Sequence, residues 1–180
     1  MDPIDPDLQA IRKIKAQNEQ GLVELMSRHR EPLFRFVYRF VRNEADAAEL
    51  TEQTFLRVYE KADRYKPKAK VSTWMFHIAG NICRDFLRKQ KKHQIDLPLE
   101  NQAIDKKTPE HDMVTSESVV VIEAAIADLP QRLKFPFIYC VLEEHSQDDC
   151  AEALQLSRKT VETRIYRARK LLQAHLESLE

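Results

Sequence analysis

Glycine is nearly absent from this chain: 2 Gly stand among 180 residues, against 8 Pro. So little glycine, combined with long, charged, periodic segments, suits helices better than sheets. None of the patterns G-x-x-x-x-G-K, G-x-G-x-x-G, C-x-x-C or H-E-x-x-H occurs, and the six histidines are scattered. His77 and Cys83 are too poorly grouped to propose a zinc site. No enzyme, no catalytic residue, no metal and no cofactor are therefore expected. The three cysteines, Cys83, Cys140 and Cys150, are odd in number and form no disulfide-like framework, which suits a reducing cytosol. No apolar run is long enough to span a bilayer, and the acidic start Met1-Asp2-Pro3-Ile4-Asp5-Pro6-Asp7 lacks a signal-peptide core. A cytoplasmic protein without membrane insertion is the expectation.

Net charge is also absent, with 29 basic and 29 acidic residues, but the charges are segregated. Arg57 to Lys92 is strongly basic. Asp96 to Asp128 is acidic, and Arg158 to Lys170 is basic again with Glu162 its lone acid. Two basic zones flanking an acidic middle suggest two anion-binding surfaces on one chain.

Periodicity organises the same chain into two units. Leu8, Ile11 and Ile14 predict a short helix. Leu22, Leu25 and Met26, then Leu33, Phe36, Val37, Phe40 and Val41, predict a second, with Pro32 expected to kink or restart it. A third should bury Ala48, Thr51, Phe55, Val58 and Ala62. Tyr65-Lys66-Pro67-Lys68-Ala69-Lys70 reads as a basic loop. Ser72 or Thr73 is the expected cap of a fourth helix carrying Trp74, Ile78, Ile82 and Phe86. Residues 94–116 lack sustained periodicity and read as a flexible acidic linker. Beyond it, Val119, Ile122, Ile126 and Leu129 share a face. Pro130 suits the first turn of the next helix, which Pro136 should bend.

The last stretch is the most informative. Ser146 can cap a short helix with Asp148 and Asp149 in its first turn. Ser157 can cap a final helix on which Val161, Ile165, Ala168 and Leu172 recur at helical spacing. A short helix, a tight turn and a longer basic helix make a helix-turn-helix, whose second helix can enter the major groove. The candidate readers and anchors are Ser157, Arg158, Lys159, Glu162, Thr163, Arg164, Tyr166 and Arg167. Gln155 occupies the turn, where the left-handed backbone favours Gly, so mild strain is expected there. The fourth helix interleaves Trp74, Phe76 and Phe86 with Arg84, Arg88 and Lys89. Basic groups with aromatics are the chemistry that holds single-stranded nucleic acid, although Trp74 and Phe86 equally fit a core stripe.

Together these segments resemble the extracytoplasmic-function sigma factors of the sigma-70 family. Thr73-Trp74-Met75-Phe76-His77-Ile78-Ala79-Gly80-Asn81-Ile82-Cys83-Arg84-Asp85-Phe86-Leu87-Arg88 is similar to their promoter-melting helices. Asp46 to Tyr59 is similar to their polymerase-binding helix, and Leu129-Pro130 with the helix-turn-helix resembles their second DNA-binding domain. The resemblance implies an all-α chain of two small helical domains: 1–93, a four-helix promoter-melting domain, and 117–180, a helix-turn-helix domain, joined by linker 94–116. It implies two partners, core RNA polymerase, bound through Asp46, Glu49, Leu50, Gln53, Thr54 and Arg57, and promoter DNA. The −10 element would meet Lys66, Lys68, Lys70, Asn81, Asp85 and Arg88, and the −35 element the final helix. Many members of the family are held inactive by an anti-sigma factor, which makes one a candidate third partner. Two departures stand out: Gly80 replaces a larger, often basic residue, and Glu162 lies where Lys or Arg is common. An ordinary helix-turn-helix regulator, with the first bundle as a dimerisation or sensing domain, is the alternative. A pure interaction protein is the third reading.

Overall fold

The structure, a computed structural model, describes residues 5–96 and 117–178, which are helical with short connections. The first domain holds α1 (Pro6–Lys15), α2 (Gln20–Val41), α3 (Glu44–Lys61) and α4 (Val71–Asp96). Asp5 caps α1, its carboxylate accepting the Asp7 N–H at 2.9 Å, and Pro6 opens the helix. Gly21 lets α1 and α2 touch along their backbones: a Cβ there would collide with the Ala10 carbonyl and lie 2.9 Å from the Lys13 Cβ. Asp7 then ties the two helices, 2.8 Å from the Arg28 Nε and 2.7 Å from the His29 Nε2. Burial works to raise the Asp7 pKa, but His29 and Arg28 together outweigh it and hold the carboxyl below its ordinary value.

Pro32 does not restart α2, which runs unbroken from Gln20 to Val41. Leu25 before it and Leu33, Phe36, Val37 and Phe40 after it are all buried in one core, and this packing outweighs the missing N–H. Arg42 ends the helix in the left-handed conformation at φ 55°, and Asn43 caps α3 by accepting the Asp46 N–H at 2.9 Å. On α3 the buried alanine is Ala47, not the expected Ala48, which is exposed. The start of α4 also differs from expectation. It begins at Val71, with the Trp74 N–H donating to the Lys70 carbonyl at 3.1 Å, so Ser72 and Thr73 lie inside the helix rather than capping it. The expected linker loses its first residues to α4, which continues through Asp96; residues 97–116 lie outside the described residues.

The second domain holds α5 (Glu117–Ala127), α6 (Gln131–Phe137), a π turn (Ile138–Leu142), α7 (Gln147–Leu154) and α8 (Arg158–Glu177). The expected bend at Pro136 takes the form of this π turn, which opens two residues later. Ser146 and Ser157 cap α7 and α8 as expected, accepting the N–H of Asp149 at 3.0 Å and of Thr160 at 3.2 Å. Val161, Ile165 and Ala168 of α8 are buried.

The two domains share an aromatic seam. Phe36 of α2 meets Phe135 of α6 edge-on at 5.4 Å between centroids, and Phe76 of α4 meets Tyr139 at 5.4 Å and His145 at 4.8 Å. Such ring pairs add about 0.5–1.5 kcal/mol each beyond the area they bury. The Tyr139 hydroxyl donates to the buried Thr73 Oγ1 at 3.3 Å. Arg39 and Arg35 of α2 pair with Glu143, whose side chain is only 6% exposed.

Candidate nucleic-acid interface

The helix-turn-helix is built from its caps inward. α7 ends at Gln155, which is left-handed at φ 54° and returns its N–H and that of Leu156 to the last α7 carbonyls. The strain expected of a non-glycine turn is therefore present, about 1–2 kcal/mol for an L-residue in this region. It aims α8 so that Val161, Ile165 and Ala168 face the core while Arg158, Lys159, Glu162, Tyr166 and Arg167 face solvent, Tyr166 at 63% exposure. Thr163 and Arg164 are half-buried at the edge of this face, and Ser157 is exposed at its head. The exposed N-terminus of α8 carries the positive end of the helix dipole and can accept a phosphate. Arg158 is held by two acids, Asp148 at 3.1 Å and Glu162 at 3.3 Å, so its fork is oriented before any base arrives. Sequence reasoning missed Arg132. It lies on α6 yet lines a 280 Å³ hollow with Lys159, Thr163, Arg164 and Arg167, which the distance along the chain hides.

The second surface is the basic loop and the face of α4. Tyr65 is buried; it packs on Trp74 at 5.0 Å, and its hydroxyl donates to the Ala69 carbonyl at 2.5 Å, stapling the loop shut. Burial, with Asp5, Glu152 and Asp7 nearby, pushes that phenol up to about 12, so it stays a donor. Lys66 and Lys68 are exposed at the loop apex. Lys70 is not presented in the same way: its ammonium is 3.0 Å from Asp149 of α7. On α4, Asn81, Asp85 and Arg88 are exposed and share one side. Asn81 is fixed at both ends of its amide, 3.2 Å from the His77 Nε2 and hydrogen-bonded by the Arg84 guanidinium. Burial, then Arg84 and Lys61, lowers the His77 pKa and favours the neutral ring, whose Nδ1-protonated tautomer accepts from the amide. Asn81, Arg84, Asp85 and Arg88 line one wall of a cleft of about 950 Å³. The other wall is Asp128, Pro130, Gln131 and Lys134 of the second domain.

On α3 the expected polymerase-binding residues divide. Glu49, Gln53 and Arg57 are exposed and Asp46 is half-buried, whereas Leu50 is 3% exposed and Thr54 0%. The Thr54 hydroxyl donates to the Leu50 carbonyl at 2.8 Å. Leu50 and Thr54 therefore lie in the core rather than on the exposed face of α3. Leu56, 61% exposed, is the apolar residue on that surface, and the sequence reading missed it. Its signal was available: at helical spacing Glu49, Gln53, Leu56 and Glu60 fall on one face. Cys150 is buried, whereas Cys140 is half-buried and lines a hollow with Arg158, Glu162 and Tyr166. Cys83 is fully buried, which pushes its thiol up to about 12. Among the described residues no helix is long and apolar enough to cross a membrane.

Two helical domains, one with a capped helix-turn-helix and one with a basic loop and helix, define the class of protein as all-α among the described residues. Family comparison narrows the class. The Sigma-70 region 2 family matches residues 25–93 and the Sigma-70, region 4 family residues 120–172. The ECF RNA polymerase sigma factor SigW of Bacillus subtilis is 26% identical over 94% of this chain and 96% of its own. Two solved structures share the fold. CnrH, a sigma factor of Cupriavidus metallidurans solved in complex with the cytosolic domain of CnrY, is 22% identical with a TM-score of 0.73, over 97% of this chain and 99% of that one. The sigma factor RpoE in complex with the anti-sigma factor NepR from Bartonella quintana is 19% identical with a TM-score of 0.67, over 92% and 98%. This chain belongs to the extracytoplasmic-function group of the sigma-70 family, as a transcription initiation factor that directs RNA polymerase to promoters.

Proposed function

We propose that the labour is divided among three surfaces. α8 reads the −35 element in the major groove, with Arg158, Lys159, Glu162 and Tyr166 toward base edges. Arg164, Arg167 and Arg132 lie toward phosphates. The loop apex Lys66 and Lys68, Lys70 once freed from Asp149, and Asn81, Asp85 and Arg88 contact the non-template strand of the −10 element. Opening that element consumes no nucleotide: capture of unstacked bases, a few kcal/mol each, offsets the lost stacking, and the chain performs no catalysis. The exposed face of α3, with Glu49, Gln53, Leu56 and Arg57, docks on the clamp of core polymerase. The domain division 1–93, 94–116 and 117–180 follows from the same assignment. An anti-sigma factor is a further candidate partner, since RpoE was solved with one.

The observation that carries this reading is the exposed basic head of α8, capped by Ser157 and aimed by Gln155, on the same chain as a loop-and-helix surface with a pinned Asn81. Run-off transcription tests it. The protein is mixed with bacterial core polymerase and a pool of genomic promoter fragments, and the transcripts are sequenced. Specific starts sharing two upstream elements are expected. Their absence, with polymerase active on another sigma factor and the protein alone binding a palindromic duplex tightly, would favour an ordinary regulator.

A further inference from the structure

Cys140 of the π turn and Cys150 of α7 meet at one backbone carbonyl. The Cys140 Sγ lies 3.8 Å from the Ser146 carbonyl oxygen, and the Cys150 N–H donates to that same oxygen at 3.1 Å. The Cys150 thiol in turn donates to the Cys140 sulfur. That hydrogen bond, opposed by burial and by Asp149, lowers the Cys140 pKa, and it raises that of Cys150, so Cys140 is the first to become a thiolate. Access divides the pair in the same sense. Cys150 is 0% exposed, whereas Cys140 is half-buried and borders a hollow of about 440 Å³. The hollow is polar, with Gln147, Arg158 and Arg169 in its lining. The buried Oε1 of Gln147 has no hydrogen-bond partner among the described residues. A buried acceptor of this kind, beside a thiol that ionises first, suits a small oxidant that carries an O–H donor.

We propose that Cys140 and Cys150 are a hydroperoxide-reactive thiol pair, and that their disulfide disables the α8 reader. The second half rests on the assignment of α8 to the −35 element. The Cys140 thiol passes its proton to water, and the thiolate attacks the terminal oxygen of the hydroperoxide. The S–O bond forms, the O–O bond breaks, and the departing alkoxide takes up a proton. The Cys150 sulfur then attacks the sulfur of the Cys140 sulfenic acid. The S–S bond forms, the S–O bond breaks, and hydroxide leaves as water with the Cys150 proton. Two thiols are oxidised to a disulfide while one hydroperoxide is reduced to an alcohol and water, and a dithiol reverses the bond. Its formation draws α7 toward the π turn behind the head of α8. Glu162, Ile165 and Tyr166 of α8 wall the same hollow, and α7 orients Arg158 through Asp148 at 3.1 Å. A shifted α7 therefore displaces the acid that sets the Arg158 fork.

The full chain is treated with hydrogen peroxide, denatured and alkylated, and its mass is read with and without prior reduction by a dithiol. Two of its three thiols are expected to become closed to alkylation and to return on reduction. Cys83→Ser should react as the parent does, because Cys83 is buried in the first domain. Cys140→Ser should keep its remaining thiols, Cys150→Ala should hold a sulfenic acid at Cys140 that dimedone traps, and Gln147→Leu should react several-fold more slowly. Binding is then measured on the −35 duplex that run-off transcription identifies. Oxidised parent should bind several-fold more weakly than reduced parent, with recovery on reduction, and Cys140→Ser should bind equally before and after peroxide. Loss of thiols from Cys140→Ser as fast as from the parent overturns the pair. An unchanged rate in Gln147→Leu overturns the hollow as the oxidant's port. A disulfide that leaves binding undiminished overturns control of the reader alone, and absent binding by the reduced parent traces the failure to the −35 assignment instead.

Discussion

α4 and α8 are built alike and presented differently. Each is a long helix with an apolar stripe and a basic exposed side, and each follows a short loop that fixes its direction. α8 buries one narrow stripe, Val161, Ile165 and Ala168, and leaves the rest of its head to solvent. α4 buries Val71, Thr73, Met75, Phe76, Ile78, Ala79, Gly80 and Cys83, which wrap more than half of its circumference, because it packs on its own bundle and on the second domain. The difference teaches that basic charge and helical periodicity identify a nucleic-acid helix but not whether it is available. Availability is decided by long-range packing.

The largest expected effect removes α8 from the comparison. Val161 is 0% exposed, and Val161→Asp would bury a carboxylate with no partner, a loss of more than about 4 kcal/mol. Thermal melting followed by circular dichroism should show the second domain unfolded and α1–α4 retained, with −35 duplex binding abolished. Retention of duplex binding would show that α8 is not the reader.

A change on the exposed face of α8 should act on recognition without touching the fold. Glu162 is 3.3 Å from Arg158, so it both orients that guanidinium and offers an acceptor to a cytosine amino group. Glu162→Ala should cost about 1–3 kcal/mol of binding to the preferred −35 duplex while leaving the melting temperature within about one degree. Competition between preferred and scrambled duplexes reads the outcome. If both duplexes bind more tightly by the same factor, the carboxylate merely repels phosphate.

Much of this pair of helices was legible in the sequence, and the illegible part has a common cause. The Ser146 and Ser157 caps, the Gln155 turn and the stripe Val161-Ile165-Ala168 are local features, set by hydrogen bonds and spacing within a few residues, and each was read directly. On α4 the stripe Trp74-Ile78-Ile82-Phe86 describes one face only. Met75, Phe76, Ala79 and Gly80 are buried by residues remote along the chain, which leaves no periodic mark. The same blindness placed Leu50 and Thr54 among the polymerase contacts when they belong to the core. It also passed over Arg132, whose neighbours are on α8. Pro32 is the reverse case, in which a strong local breaker is overruled by the core on either side of it.

Gln155 offers a smaller test at the turn that aims α8. At φ 54° it holds a conformation that Gly adopts freely. Gln155→Gly should stabilise the second domain by about 0.5–1 kcal/mol, the relief of strain being partly offset by the greater freedom of the unfolded chain. A rise of a few degrees in melting temperature checks it. An unchanged or lower value would mean that the Gln155 side chain contributes as much as the strain removes.

The smallest expected effect concerns the pH dependence of closure, meaning the packing of the two domains on each other across the aromatic seam, and it sets the two helices against each other most directly. His145 stacks on Tyr139 at 4.3 Å and meets Phe76 of α4 at 4.8 Å, with Asp149 and Lys70 the charged groups nearest to it. Burial depresses its pKa below 6.5; Asp149 opposes the shift and Lys70 adds to it. The closed form thus prefers the neutral ring, whereas in an open chain the ring titrates near about 6.5. Closure is at full strength above that value and weakens as the pH falls through it toward the depressed one. Glu143 works the other way at lower pH: burial, opposed by Arg39 and Arg35, raises its pKa, so its protonation favours the closed form. His145→Phe keeps the stacking and removes the titration. Scattering profiles of the parent should therefore expand slightly between pH 7.5 and pH 5.5, and those of His145→Phe should not. Expansion of both to the same extent would assign the effect to another group and leave His145 a packing residue of the seam.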